Sequence, residues 1–177
     1  GTFDLVETTY LDAVRRVGLQ QTGLLVARRK GRPDTPGWNT TYLNARLQAI
    51  VNPHGPAIPG TPFRIGDRVI IHRNMVVPQP DDSTIPVVNG DTGQIAAVDR
   101  DQEHEERVKT FTLALDDGRR VVMSAGLLDV VSLAYALTVH AAQGSEYRVA
   151  IVVITNGSPS FMHRKVLYTA VSRARES

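Results

Sequence analysis

The chain has 177 residues, of which 42% are hydrophobic, and its formal net charge at pH 7 is +2. This composition supports a folded core and excludes a disordered chain, while the mild basicity permits nucleic-acid binding without arguing for it. The chain has no cysteine, which excludes disulfides, thiol catalysis and cysteine-bound metals and leads us to expect a cytoplasmic protein. No apolar run approaches the roughly 18 residues of a membrane span, so we expect no membrane partner.

The first part of the chain has the pattern of an α/β domain. Helical spacing of apolar residues predicts a helix over 3–17, and "TGLLVA" (22–27) predicts a short buried strand. The basic loop "RRKGRPDTPGWN" leads into a second predicted helix, "TTYLNARLQAIVNP", which ends at Pro53. The predicted apolar faces comprise Leu5, Val6, Tyr10, Ala13, Val14 and Val17 in the first helix, and Leu43, Leu47 and Ile50 in the second.

The pattern changes after the Pro/Gly-rich "HGPAIPGTP" (54–62) to short strands separated by turns. The turn sequences "NGD" (89–91) and "DDG" (116–118) favour hairpins. Four short strands in about 65 residues predict a small antiparallel barrel inserted into the α/β domain. The predicted strands cover 67–74, 92–99, 107–117 and 119–125.

The α/β pattern returns in the last part of the chain. "VAIVVI" (149–154) is typical of a parallel core strand, and "MHRKVLYTAVSRARES" (162–177) predicts a helix with one apolar face. We therefore expect one α/β domain in two parts, 1–56 and 131–177, with the barrel over 57–130. Because the first residue is not methionine and the last residues lie within a helical pattern, we expect a piece of a longer protein.

The stretch "TVHAAQGSEY" (138–147) separates two apolar segments. Short loops at the strand ends of an open α/β sheet are where ligands usually bind. In this one, Gly144 lets a phosphate approach the backbone, and the hydroxyls of Thr138 and Ser145 suit phosphate oxygens. The side chains of His140 and Gln143 suit bases, and the Glu146 carboxylate suits a sugar hydroxyl. An ordinary polar loop capping a helix turn is the alternative interpretation.

Arg173 is a second candidate, because it projects about 90° from the centre of the apolar face of the last predicted helix. An arginine beside a buried face can reach across a cleft and neutralise a transferring phosphoryl group. The alternative is a solvated arginine whose stem packs on the core.

The order of "TVHAAQGSEY", a core strand, a loop and "VLYTAVSRAR" resembles the last motifs of superfamily 1 helicases, in particular the RecD-type members (exodeoxyribonuclease V alpha-subunit-like). "LLVARRKG" and "GWNTTYLNARLQAIVNP" resemble the motif that opens their second RecA-like domain. "FRIGDRVIIHRN" and "VVNGDTGQIAAVD" resemble the Src-homology-3-like barrel inserted into that domain. The resemblance thus implies a RecA-like (P-loop NTPase-type) second motor domain with an inserted small antiparallel barrel.

The resemblance also implies roles for individual residues. Arg173 matches the arginine finger that stabilises the γ-phosphate in the transition state. The residues expected at ATP are Gly144, Glu146 and Arg29, with Arg28 as a competing match for Arg29. The residues expected on single-stranded DNA are Thr138, His140 and Gln143. The implied activity is ATP-dependent 5′ to 3′ DNA unwinding, in the setting of DNA repair and recombination.

The phosphate loop G-x-x-x-x-G-K-[ST] does not occur in the 177 residues. We expect it in a first RecA-like domain upstream, and we expect the fragment alone to hydrolyse no ATP. The five histidines lack metal-ligand spacing, so we expect no protein-bound metal, and magnesium would come with ATP. Other subunits of a helicase–nuclease complex are further expected partners.

Two other functions fit parts of the sequence. The helicase-like part of a conjugative relaxase has similar motor motifs. A nucleic-acid-binding small-barrel module fits "GDRV" and "NGDTGQI" but leaves "VLYTAVSRAR" unexplained. Two details are also open: the loop "RRKGRP" fits a DNA channel or a solvated turn, and Trp38 fits base stacking or packing under the loop.

Overall fold

The computed structural model describes residues 2–27, 36–101, 104 and 107–153. Arg28, Arg29 and the predicted last helix with Arg173 lie outside the described residues. The helices and strands, in chain order, are α1 (Thr2–Val17), β1 (Thr22–Val26), α2 (Thr40–Val51), β2 (Arg68–Ile71), β3 (Met75–Pro78), β4 (Thr84–Val87), β5 (Thr92–Arg100), β6 (Val108–Leu115), β7 (Arg120–Ser124), β8 (Val131–Leu133), β9 (Ala136–Thr138) and β10 (Val149–Val152). Short 3-10 helices cover Leu19–Gln21 and Ala125–Val130.

The chain divides into two compact units. The first unit comprises Gly1–Val51 and the chain from Tyr135 onward, and the second comprises Asn52–Ala134. None of the helices in the described ranges is long and apolar enough to cross a membrane.

A parallel three-stranded sheet with the order β10-β1-β9 forms the centre of the first unit. All five residues of β1 are buried, because this strand has a neighbour on each side. Thr22 pairs with Val149 and Leu25 pairs with Leu137, so the carboxyl ends of β1 and β9 lie at the same edge. The parallel strand predicted over 149–154 is confirmed by the pairing of β10 with β1.

The two helices follow the predicted apolar faces with two exceptions. Tyr10 and Ala13 of α1 and Leu43 and Leu47 of α2 are buried. Leu5 is 66% exposed, because it lies about 120° around the helix from the buried face at 100° per residue. The other exception, Ile50, lies in the last turn of α2 and is also exposed.

Side chains in and just before α2 cap this helix and connect it to α1. The Asn39 side chain caps α2 by accepting a hydrogen bond from the Tyr42 amide (3.0 Å). Trp38, one residue earlier, stacks on Phe3 with ring centroids 4.1 Å apart. The interpretation of Trp38 as a packing residue is therefore supported, and the ring that it packs on is Phe3 of α1. Arg46 of α2 also forms an ion pair with the Glu7 carboxylate.

The second unit is an antiparallel sheet with the strand order β7-β6-β5-β2-β8 and a separate β3–β4 ladder. Alternate residues of β6 and β7 point into one apolar core. Its fully buried members include Ile71, Ile95, Phe111, Leu113, Val121 and Met123. The "DDG" turn joins the paired strands β6 and β7 with Gly118 at φ +92°, which confirms this hairpin.

The predicted small antiparallel barrel is not confirmed: within the described residues, five strands form one sheet, and no closed barrel is found. At the outer edge of β7, the backbone of Val122 is hydrogen-bonded by the Gln79 side chain and not by a neighbouring strand. The Gln79 side chain accepts a hydrogen bond from the Val122 amide (2.9 Å) and donates one to its carbonyl oxygen (3.3 Å). The β3–β4 ladder, whose first strand precedes Gln79, was missed, since Pro78 and Pro86 disfavour strands.

The prediction of a hairpin at "NGD" is wrong, because the flanking strands β4 and β5 do not pair with each other. The turn extends the β2–β5 ladder instead. Gly90 donates its amide to the Ile71 carbonyl oxygen (2.9 Å), and the Ile71 amide donates to the Asp91 carbonyl oxygen (2.9 Å). A turn-forming sequence thus marked a turn correctly without specifying which strands it joins.

Candidate functional site

The stretch from Thr138 to Tyr147 begins at the carboxyl end of β9, beside the carboxyl end of β1. Val26 pairs with Thr138, and the next amide along, that of Val139, donates to the Val26 carbonyl oxygen (3.3 Å). The stretch therefore leaves the sheet at the edge where ligands of parallel α/β sheets bind.

Consecutive turns give this loop a defined shape. Thr138 accepts two hydrogen bonds: its side-chain oxygen from the Ala141 amide (3.1 Å) and its carbonyl oxygen from the Ala142 amide (3.0 Å). The His140 carbonyl oxygen accepts from the Gln143 amide (3.2 Å). These bonds resemble the first turn of a helix capped by a threonine, which fits the alternative of a capping loop as far as the backbone is concerned.

The side chains of the loop are divided by their exposure. Val139, Ala142 and Tyr147 are buried and hold the loop on its unit. The predicted site residues lie on the other side: His140, Gln143, Gly144 and Glu146 are exposed, and Thr138 and Ser145 are half-buried. Because the apolar side chains point inward, the groups expected at nucleotide and DNA lie together along one short loop.

Gly144 has a backbone conformation that favours glycine, with φ +88°. A Cβ added there would meet no atom within 4 Å, so the space beside it is open. The glycine requirement is thus conformational, and the open backbone leaves room for a ligand phosphate to approach.

The far end of the loop is anchored through Tyr147. Its ring packs directly on Gly23 of β1, where an added Cβ would lie 2.7 Å from the ring carbon Cδ2. Gly23 is therefore required for close approach, although its own φ lies outside the left-handed region. Sequence reasoning missed this pair; the one signal was a glycine inside a predicted buried strand.

The start of the loop is anchored through Asn44, which sequence reasoning also missed. The Asn44 side chain accepts a hydrogen bond from the Ala136 amide (2.8 Å) and donates one to the Ala136 carbonyl oxygen (2.9 Å). Asn44 is 7% exposed and lies beside Leu43 on the buried face of α2. A polar residue within an apolar helix face was the available signal, since buried amides need partners.

The chemistry of these residues fits part of a nucleotide site. Hydroxyl, carboxylate and open glycine backbone suit contacts to phosphate and sugar. Across the described ranges, no group of three or more histidine, aspartate and glutamate side chains is arranged to hold a metal ion. Magnesium ligands on this unit are therefore not assigned, and its arrival with ATP stays a prediction.

Comparison with known proteins gives a family match at the end of the chain. Residues 133–177 match the UvrD-like helicase C-terminal domain. The chain is 32% identical over 138 residues to the ATP-dependent RecD2 DNA helicase of Deinococcus radiodurans, covering 76% of this chain and 17% of that protein. It is 30% identical over 166 residues to the RecBCD enzyme subunit RecD of Mycobacterium tuberculosis, covering 89% of this chain and 24% of that protein. The chain thus spans a quarter or less of the length of these relatives.

A solved structure supports the fold independently. The Pif1 helicase from Bacteroides, in complex with ADP-AlF3 and single-stranded DNA, matches 96% of this chain and 46% of its own, with a TM-score of 0.51 and 15% sequence identity. At this identity the likeness shows the fold alone. It confirms the α/β fold predicted for a RecA-like helicase motor domain.

Proposed function

The chain is homologous to RecD-type DNA helicases and carries their C-terminal helicase domain, and on this premise we propose that it is the C-terminal motor domain of an ATP-dependent 5′ to 3′ DNA helicase. The observation that carries the proposal is the Thr138–Tyr147 loop. It leaves the carboxyl end of β9 with its apolar side chains buried and its polar side chains exposed together. One short loop can therefore contact two ligands at once.

We assign the two ligands to different parts of the loop. Thr138, His140 and Gln143 bind the backbone and bases of single-stranded DNA. Gly144 and Glu146 bind ATP, with the open backbone at the glycine facing a phosphate. A shift of one ligand is then transmitted to the other, because consecutive turns join both groups of residues.

The rest of the ATP site comes from residues outside the described ranges. Arg29 contacts a phosphate, and Arg173 acts as the arginine finger on the γ-phosphate. The phosphate loop and most magnesium ligands belong to a first RecA-like domain in the whole protein. We propose that the 177-residue chain by itself hydrolyses no ATP, because it holds one half of the site.

The proposed partners are single-stranded DNA and the first RecA-like domain. One relative is named as a subunit of the RecBCD enzyme, so other subunits of a helicase–nuclease complex are further proposed partners. We also propose that the protein acts in the cytoplasm. The small-barrel module gains no support, because the UvrD-like match over 133–177 accounts for the segment that this module leaves unexplained. The relaxase alternative shares the motor motifs, and a flanking nuclease domain would distinguish it.

The first test is the ATPase rate of the full native chain with single-stranded DNA, for wild type and Arg173→Ala. An arginine finger contributes roughly 10³–10⁵ in rate, and we expect a loss on that scale with DNA binding retained. Arg175→Ala is the matched control, because this arginine falls on the opposite edge of the predicted helix. An unchanged rate in Arg173→Ala would remove the arginine finger from the proposal.

A second test concerns the DNA side of the loop. Gln143→Ala should raise the single-stranded DNA concentration that gives half-maximal ATPase stimulation, because it removes an exposed contact. Gln20→Ala is the control, since Gln20 is equally an exposed glutamine but precedes β1 at the amino-terminal edge of the same sheet. Equal effects of the two substitutions would contradict the assignment of Gln143 to DNA.

A further inference from the structure

We infer that Asn44 is a positioning residue for the DNA side of the Thr138–Tyr147 loop, acting through the backbone of β9. The inference rests on the proposed function of that loop. Asn44 itself belongs to α2 and is buried, so it is not offered as a ligand contact.

The Asn44 side chain makes the hydrogen bonds to β9 that a neighbouring strand would otherwise make. β9 pairs with β1 on one side, and on the other side Asn44 bonds both backbone groups of Ala136. Ala136 is fully buried, so water is a poor substitute for these two bonds. The amide therefore completes the hydrogen bonding of the first residue of a three-residue strand.

Those two bonds determine how far β9 extends before the loop begins. In a strand the backbone groups of successive residues point to alternate sides, so Leu137 faces away from Asn44. A slip of β9 by one residue would present Asn44 with the wrong backbone groups and would leave the pair unsatisfied. Thr138 lies two residues beyond Ala136, so Asn44 specifies the position of the first proposed DNA contact.

The ATP side of the loop has a different anchor. Tyr147 packs on Gly23, near the end of the loop that carries Gly144 and Glu146. A change at Asn44 should therefore affect DNA more than ATP. This difference separates positioning of the loop from a general loss of stability, which would affect both ligands alike.

The experiment measures the ATPase of the full native chain against the concentrations of single-stranded DNA and of ATP. The variants are Asn44→Asp, which is nearly isosteric and keeps the acceptor for the Ala136 amide but loses the donor, and Asn44→Leu, which loses both. Gln79→Leu is the matched control, because it removes an equivalent pair of bonds to Val122 in the second unit. Assays are run below the onset of thermal unfolding of each variant.

We expect both Asn44 variants to raise the half-maximal DNA concentration about tenfold, a typical size for a coupling residue without ligand contact. The KM for ATP at saturating DNA should stay near the wild-type value, and Gln79→Leu should change neither quantity. Equal effects of the Asn44 and Gln79 variants, or equal shifts for DNA and ATP, would overturn the inference.

A measurement on the wild-type protein covers the case in which the Asn44 variants do not fold. Single-stranded DNA should slow hydrogen exchange of the Ala136 amide and leave the Val122 amide unchanged. An Ala136 amide insensitive to DNA would overturn the inference while leaving the proposed function in place. A wild-type chain without DNA-stimulated ATPase would overturn the proposed function, and this inference with it.

Discussion

Each unit of the protein has an edge strand whose backbone is paired by a carboxamide side chain, but the two cases differ in their surroundings. In the first unit, Asn44 extends from the middle of a regular helix and bonds the fully buried Ala136. In the second, Gln79 follows a short strand, is half-buried and bonds Val122, which is half-buried as well. The same pair of hydrogen bonds therefore has different consequences if lost, because water can replace the second pair more readily than the first.

The comparison shows that a polar contact contributes most to structure where the backbone it bonds is buried and few other contacts hold the same segment. Gln79 holds a hairpin that Arg119 also holds, since Arg119 donates to the Pro86 carbonyl oxygen of β4 and pairs with Asp91 (2.9 Å) and Asp117 (2.6 Å). Ala136 lies two residues before Thr138, the first proposed DNA contact, and Asn44 bonds both backbone groups of Ala136.

The largest effect is expected for Asn44→Leu. It leaves a buried amide and a buried carbonyl of Ala136 without partners, which should cost about 3 kcal/mol of local stability. Native-state hydrogen exchange of the amides in β9 and β1 measures this cost directly. If exchange of the Ala136 amide were no faster than in the wild type, the two edges would not differ in the way proposed.

Gly23→Ala tests the other anchor of the loop and should cost about 2 kcal/mol, because the added methyl group overlaps the Tyr147 ring. Thermal unfolding of the variant and a raised KM for ATP would show that the ring has moved. Gly126→Ala is the control: its Cβ would meet only the Ser124 side-chain oxygen, at 3.9 Å. Equal destabilisation by the two substitutions would argue against a specific role of the ring contact.

Gln79→Leu should destabilise the second unit by only about 1 kcal/mol, because solvent can replace the lost bonds to Val122 and Arg119 still holds the hairpin. Hydrogen exchange of the Val122 amide reports the loss. An effect as large as that of Asn44→Leu would show that burial does not distinguish the two edges.

The smallest expected effect is a loss of folding stability at acidic pH. A hydrogen bond from the Arg119 side chain lowers the pKa of Asp117 below its ordinary value. The carboxylate therefore contributes stability above the ordinary value of about 4, and this contribution is lost as the pH falls through the lowered pKa. Asp117 is half-exposed, so solvent screening keeps the effect small.

Asp117→Asn should accordingly lower the free energy of unfolding near pH 7 and have little effect in strong acid, where the wild-type carboxyl is protonated as well. Unfolding curves at several pH values measure this difference, with Asp129→Asn, another exposed aspartate of the same unit, as the control. A destabilisation of the same size at every pH would show that Asp117 acts through packing and not through its charge.

Much of the local structure was predictable, and the reason is periodicity. Strands such as β1 and β10 were located from continuous apolar runs, and β6 and β7 from short segments around the "DDG" turn. The β3–β4 ladder was missed because its prolines argue against strands, although they lie where the ladder tolerates them. Leu5 was misplaced because helical spacing was counted without measuring its angle from the buried face.

The candidate loop was also visible in the sequence, since a glycine and several hydroxyl, amide and carboxylate side chains stand between two apolar segments. The residues that anchor this loop were not visible in the sequence. Asn44 and Ala136 are 92 residues apart, and Gly23 and Tyr147 meet only because β1 lies beside the end of the loop. Contacts at such separations depend on how the strands are ordered in the sheet.

The sequence by itself determined the positions of most helices and strands, the homology to RecD-type helicases and the polar composition of the loop, because these depend on neighbouring residues and short motifs. The tertiary structure alone decided that the second unit contains a five-stranded sheet with a glutamine at its edge, and that an asparagine of α2 supports the start of the loop. Both outcomes follow from the same physical requirement: a backbone amide or carbonyl at a strand edge needs a partner, and only the folded chain shows which distant side chain supplies it.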